Sequence, residues 1–289
     1  MKDSNVVIFC KSYAPDVERA VQLHQSLQAC NSESLPFYLS VPSADLPLFK
    51  NKLGSGPIYL ADEEIIGTNP AHDLATLLKI PGYISQQIVK SEFWRINPAD
   101  NYVCVDSDCR FIRPFGAHDF VANNGTPFSI LHESKAFLEF CLRHKLQATV
   151  DEFLATASSM QKEFNRSGPL FNFGPFPVIW NRQVWQALSD HLSESKRSIT
   201  DAIIGNPNEA SWYGEALLKF TPIDIIPVEP LFKAYLYLEQ YEEDRKFGLG
   251  EKELATLYMG IVYQSNWYPK RLKIHKNLAY KIKRALKTR

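Results

Sequence analysis

Long hydrophobic runs are missing from this sequence: no stretch approaches the roughly 18 consecutive apolar residues needed to cross a bilayer. Glycine is sparse, at 13 of 289 residues, and the first strand-like run, "NVVIFC" at 5–10, leads into "KSYAP" rather than a glycine-rich turn. That absence speaks against a P-loop or dinucleotide fingerprint. The five cysteines (Cys10, Cys30, Cys104, Cys109, Cys141) form an odd set without CxxC spacing or a nearby His pair, which argues against a zinc site or a disulfide framework. Such usage implies a reducing, cytoplasmic setting. The start reads as a strand, since it has neither the apolar length nor the cleavage site of a secretion signal.

Net charge is also lacking, at +0, but the balance conceals an asymmetry. Residues 254–289 carry nine Lys or Arg and no Asp or Glu, leaving 23 basic against 32 acidic residues upstream. An acidic body disfavours nucleic acid as a partner. What is present is a globular composition, 45% hydrophobic and 12% aromatic. At this length a chain buries roughly 75% of the surface it exposes when unfolded, so a core forms without staples.

Strand-like and helix-like segments alternate over the first 110 residues. "NVVIFC" is followed by helical spacing at Val17, Ala20, Val21, Leu23, His24 and Leu27. "PFYLSV" (36–41) reads as a strand, "LPLFKNKL" (46–53) as a helix and "PIYLAD" (57–62) as a third strand. Residues 82–96 carry Ile84, Ile88, Phe93 and Ile96 at helical spacing and feed the strand "NYVCVDSDCRF" (101–111). This pattern predicts an α/β fold with a mostly parallel sheet flanked by helices. Further on, "PFSILH" (127–132) is strand-like, 134–164 largely helical, and 168–180 a Gly/Pro/aromatic stretch ending in a strand. A helix over 182–192, a polar loop over 193–208, a helix over 211–220 and a strand over 223–229 follow. No repeat or low-complexity segment interrupts the chain. One domain over 1–265 with a basic amphipathic tail over 266–289 is the simplest organisation.

The most informative residues are Asp106 and Asp108, which follow the apolar run 102–105 and so stand where a buried strand leaves the sheet. Ligands of open α/β sheets bind at that end. Two carboxylates at i and i+2 suit a hard cation shared with phosphate oxygens. A capped turn with two solvated aspartates is the alternative. A haloacid-dehalogenase-type phosphatase would carry its aspartate directly after the first strand, where this chain has "KSYAPD".

The segments "FCKSYAPDVERAVQLHQSL", "PGYISQQIVK", "YVCVDSDCRFIRPF", "PVIWNRQVWQAL", "EASWYGEALL" and "YQSN" together resemble a GT-A-type bacterial glycosyltransferase-like family, the DUF6492-like proteins, over about residues 5–266. The resemblance implies a GT-A (Rossmann-like) fold, Mn²⁺ or Mg²⁺, a nucleotide-sugar donor, and a saccharide or lipid-linked saccharide acceptor in surface polysaccharide assembly. It implies Asp108 as direct metal ligand, with Asp106 on the metal or the donor ribose. Lys11, Ser12 and Tyr13 would face the nucleotide, the aromatic stacking on the base. Gln86 and Lys90, four apart on one helix face, would meet base and diphosphate. Glu209 matches the acidic position before the "YG" pair and is the expected base, with Glu215 as its rival; a retaining enzyme needs neither. Each competes with a stabilising role at a helix N-terminus. Ser265 is the expected further metal ligand, since His275 sits in a basic segment.

Asp16 and Arg19 are expected to pair across one turn. Phe171, Phe173, Phe176, Trp180 and Trp212 are candidates for sugar stacking or for core. The tail places Leu278, Ile282, Ala285 and Leu286 on one face among cations, which suits either an anionic membrane surface or a solvated helix. Two other functions fit the pattern: a nucleotidyltransferase making an activated sugar, and a non-catalytic membrane-associated scaffold.

Overall fold

A computed structural model describes residues 5–70, 72, 79–96 and 98–264. The basic tail, Ser265, Asn266 and His275 therefore lie outside the described residues.

The run Val6–Lys11 forms β1, buried along its whole length. A strand apolar on both faces must be covered on both, which is the environment of a parallel sheet's centre. Strands β2 (Phe37–Val41), β3 (Ile58–Ala61), β4 (Asn101–Asp106) and β7 (Val178–Asn181) complete the main sheet in the order β3-β2-β1-β4-β7. The first four are parallel and β7 is antiparallel. Mixed α/β architecture with a mostly parallel sheet is thus as the sequence predicts.

Alternation along β1 and β4 divides the interior. Val7, Phe9, Tyr102 and Cys104 face one core, with the helices Gly82–Glu92 (α4) and Arg182–Glu194 (α7). Val6, Ile8, Cys10, Val103 and Val105 face the other, with α1 (Val17–Cys30) and α2 (Leu46–Leu53). Phe9 stacks on Phe93 at 3.8 Å, and Tyr102 meets both Phe93 and Trp180 edge-on. Helix α3 (Asp62–Gly67) follows β3.

Two smaller sheets stand beside the main one, β5-β10-β9 and β6-β8. They comprise β5 (Cys109–Phe111), β6 (Phe128–Ile130), β8 (Ile226–Val228), β9 (Phe232–Tyr235) and β10 (Gly260–Tyr263). The region 134–164 is helical as α5 (Lys135–Arg143) and α6 (Gln147–Glu163).

The polar run 193–208 is not simply a loop, because Ile199–Gly205 forms α8. Ser198 Oγ accepts from Asp201 N–H, and the Asp201 carboxylate accepts from Ser198 N–H. This reciprocal cap closes both ends of the turn, and Ile199, Ala202 and Ile203 bury the helix. The other departures are α3, the break at Ser107–Asp108 that divides the strand expected over 101–111 into β4 and β5, and β9 and α10 (Leu238–Lys246), which lie in a stretch without clear periodicity. Helix α9 spans Glu209–Phe220. The Asp16–Arg19 pair forms as expected. None of the five cysteines is joined in a disulfide.

A buried polar cluster fixes α4. Glu92, fully buried, accepts from His72 Nε2 (2.9 Å), Asn69 Nδ2 (3.0 Å) and Arg95 Nε (2.5 Å). Thr200 of α8 reaches His72 at 3.3 Å. Burial pushes the Glu92 carboxyl up, but the bonds from His72 and Arg95 outweigh it and hold it below its usual range. A depressed carboxylate contributes stability that is present above its unfolded pKa of about 4.3 and is lost as pH falls through the folded value. Glu92→Gln is therefore expected to cost roughly 3 kcal/mol at pH 7, with the difference narrowing in acid. Urea unfolding of both proteins at pH 7 and in the acid range measures this, and a difference independent of pH would contradict it.

Candidate active site at the carboxyl edge of the sheet

After β3 the chain returns to the opposite flank of β1 to form β4, so the order reverses between these two strands. That reversal opens a crevice at their carboxyl ends, where open α/β sheets bind ligands. In register there, Lys11 of β1 lies opposite Asp106 of β4. The chemistry of the site follows from what ends each strand.

At β4 the apolar run stops at Asp106, and Ser107–Asp108 turn the chain toward β5. Both aspartates are half-buried, and the Tyr263 N–H of β10 bonds the Asp108 backbone oxygen at 3.2 Å. Lys90, 2% exposed, extends from α4 and bonds Asp106 Oδ1 at 2.5 Å. The same ammonium lies 3.3 Å from Glu209 Oε1 and 4.1 Å from the centroid of Phe176. Burial pulls Lys90 down, but Asp106 and Glu209 more than reverse this and leave it well above the ordinary lysine range. Burial pushes Glu209 up against the opposing pull of Lys90. Glu209 is the first residue of α9, which Asn208 caps through a bond from Ser211 N–H.

The structure thus brings Lys90, Asp106 and Glu209 together, with Asp108 one turn beyond Asp106. It does not bring Gln86 into this set. Gln87 takes that place: its Oε1 accepts from Glu209 N–H at 3.3 Å. Glu215 is engaged elsewhere, 1% exposed and held by Arg166 through two bonds of 2.6 and 2.9 Å. Six residues along a helix turn roughly 600°, so Glu215 points about 120° away from Glu209.

Lys11 is nearly buried, and its charge is directed to Asp62 (2.8 Å) and the Ser12 carbonyl (2.5 Å). Ser40 bonds the other oxygen of Asp62 at 2.5 Å. Burial raises Asp62 despite Lys11. Ser12 is buried and its hydroxyl finds no partner among the described residues, while the Tyr13 ring is 46% exposed at the rim. Cys10 and Cys104, beneath the site, are not nucleophiles: burial first, and for Cys10 the Asp106 charge next, push their thiols up.

Phe173, Trp180 and Trp212 are core residues, whereas Phe171 lines a cavity and Phe176 carries Lys90. Asp62 and Ser40 escaped sequence reasoning, and Phe176, expected against a sugar or in the core, instead lies under Lys90. Asp62 had a signal, since it directly follows β3 as Asp106 ends β4.

Asp106 and Asp108 are the oxygen donors available to a cation; among the described residues no group of three His, Cys, Asp or Glu forms a metal site. This donor set fits a cation shared with substrate phosphates and water, as Mg²⁺ is commonly held, rather than one caged by protein.

The model for a family of unknown function (DUF6492) matches residues 5–247, and the chain belongs to that family. No curated protein matches the sequence.

Lys90→Met leaves two facing carboxylates without their shared cation and is expected to cost roughly 3–5 kcal/mol. Adding Glu209→Gln should recover part of that loss. A double-mutant cycle by urea unfolding measures the coupling; strictly additive effects would show that the ammonium does not hold Glu209.

Proposed function

We propose that this chain is a metal-dependent glycosyltransferase that moves a sugar from a nucleotide-sugar donor to a saccharide or glycolipid acceptor. The observation that carries the reading is the pair Asp106 and Asp108 at the carboxyl end of β4, beside the sheet's reversal and backed by a buried lysine and glutamate. Carboxylates at that edge suit a phosphate-bearing ligand only with a cation to offset them, which a bound metal would supply, since Lys90 is already met by Asp106 and Glu209.

Mn²⁺ or Mg²⁺, held by Asp106 and Asp108, would neutralise charge on the leaving diphosphate. The chain's own residues supply the rest. Tyr13 offers an exposed ring on which a base can stack. The Ser12 hydroxyl has no partner among the described residues, and leaving it unpaired costs roughly 1–3 kcal/mol that a donor hydroxyl can relieve. Lys90 holds Asp106 oriented and provides a fixed positive charge. Glu209, with its carboxyl raised by burial, is the base that takes the acceptor hydroxyl's proton. Glu215 is left to Arg166 as a structural pair. The basic tail would hold the enzyme at an anionic membrane surface on the cytoplasmic side; among the described residues no helix is long and apolar enough to cross a membrane.

A thermal-shift panel of UDP, GDP, CDP and their sugar conjugates, with and without Mn²⁺, tests the assignment. At a ligand concentration 100-fold above Kd the gain is about 2.7 kcal/mol, which for a chain of this size raises Tm by roughly 5–10 °C. Asp108→Ala is expected to abolish the Mn²⁺-dependent part. An unchanged metal-dependent shift in that variant would refute the metal assignment. Glu209→Gln should keep the nucleotide shift while slowing donor turnover by about 10²–10⁴. Equal turnover in the two proteins would remove Glu209 as the base.

A further inference from the structure

A cavity of about 1200 Å³ is lined by residues that adjoin the carboxylate site along the chain. Its lining comes mainly from α5, α6, β9 and the start of α10. Cavities that enclose drug-sized ligands measure about 300–1,000 Å³, so this one has room for more than a single sugar ring.

Three of its walls adjoin the site through the chain. Asn208 precedes Glu209, Pro175 precedes Phe176 with its lysine, and Gln264 follows Tyr263, whose N–H bonds Asp108. Asp106, Asp108 and Glu209 do not themselves line it.

Its lining selects among ligand classes. Phe137 and Tyr237 lie nearly parallel, 21° apart, with Phe153 packed on Phe137. These rings alternate with amides, of which Gln240 is oriented by accepting the N–H groups of Leu236 and Tyr237 at 2.9 and 3.0 Å. A lipid chain would require an unbroken apolar wall. A polyphosphate would require surplus cations, yet the lining carries five carboxylates against three Lys or Arg. Two of those cations are already paired, Lys233 with Asp244 at 2.8 Å and Lys135 with Glu133 at 3.1 Å. Rings that meet apolar C–H faces, interspersed with amides that meet hydroxyls, match a carbohydrate without negative charge.

We infer that this cavity is the acceptor site, and that it takes an uncharged oligosaccharide of two or more rings, an inference that rests on the transferase reading above.

Saturation-transfer NMR on the full chain with glucose, maltotriose, cellotriose, chitotriose and inorganic tripolyphosphate tests it. At least one trisaccharide is expected to bind tenfold or more tightly than glucose. Ala157→Trp, which fills the cavity from α6 without removing a contact, should weaken that binding at least tenfold. Thr156→Trp, from the same wall, serves if the first variant does not fold. Both should retain the Mn²⁺-dependent nucleotide shift. The assignment is overturned if no trisaccharide binds, if neither filling substitution weakens binding, or if tripolyphosphate outcompetes the sugars and is lost on filling. A missing nucleotide shift with saccharide binding intact and lost on filling would instead refute the transferase reading and leave a saccharide site.

Discussion

Lys90 sits with its ammonium between two carboxylates from distant parts of the chain, Asp106 and Glu209, and over the face of Phe176. Burying a lysine is costly unless its charge is met, and here each partner would in turn be costly without the lysine. The arrangement turns on the lysine: its removal leaves two carboxylates uncompensated in a site of low dielectric, whereas removing either carboxylate leaves the ammonium with one partner. It ties α4, β4 and α9 to one point, and so sets where the acids stand relative to each other.

The rest of the fold can be understood as the frame for that point. Helix α4 is anchored at the same end by the fully buried Glu92, whose partners come from residues 69, 72, 95 and, through His72, Thr200. Lys90 and Glu92 lie two residues apart, so one face of the helix end serves the site while another serves the polar core. Beneath both, β1 and β4 lie side by side in strict alternation, each feeding two separate cores. A strand whose side chains fill two cores cannot slip register by one residue without exchanging and mispacking both faces, which keeps Lys11 opposite Asp106. The second ion pair, Lys11 with Asp62, uses the same edge one strand further along.

Division of labour follows from charge. The carboxyl edge concentrates acids offset by buried lysines and suits a ligand that brings phosphate and cation together. The neighbouring cavity is broad, aromatic and mildly acidic, and suits an uncharged partner. Glu209 and Asn208, adjacent in sequence at the start of α9, stand one on each side of that boundary.

Strands β1 to β4 and helices α1, α2 and α4 were legible because burial imposes period: apolar runs for strands covered on both faces, and 3.6-residue spacing for the helices between them; the six-residue α3 is too short to show a period. The Asp106/Asp108 pair was legible because it ends such a run, and Glu209 and Lys90 because of their family-like segments. Less was readable afterwards. Helix α8 was hidden by polar residues whose capping role depends on Ser198 and Asp201 acting together. The choice of Gln87 over Gln86, and of Glu209 over Glu215, depended on which helix face meets which neighbour. Local sequence determines where the chain is strand or helix, and which residues could carry charge into a site. Whether a given lysine, glutamate or glutamine reaches that site was decided by tertiary packing, because partners 119 or 122 residues apart meet only once the sheet has closed.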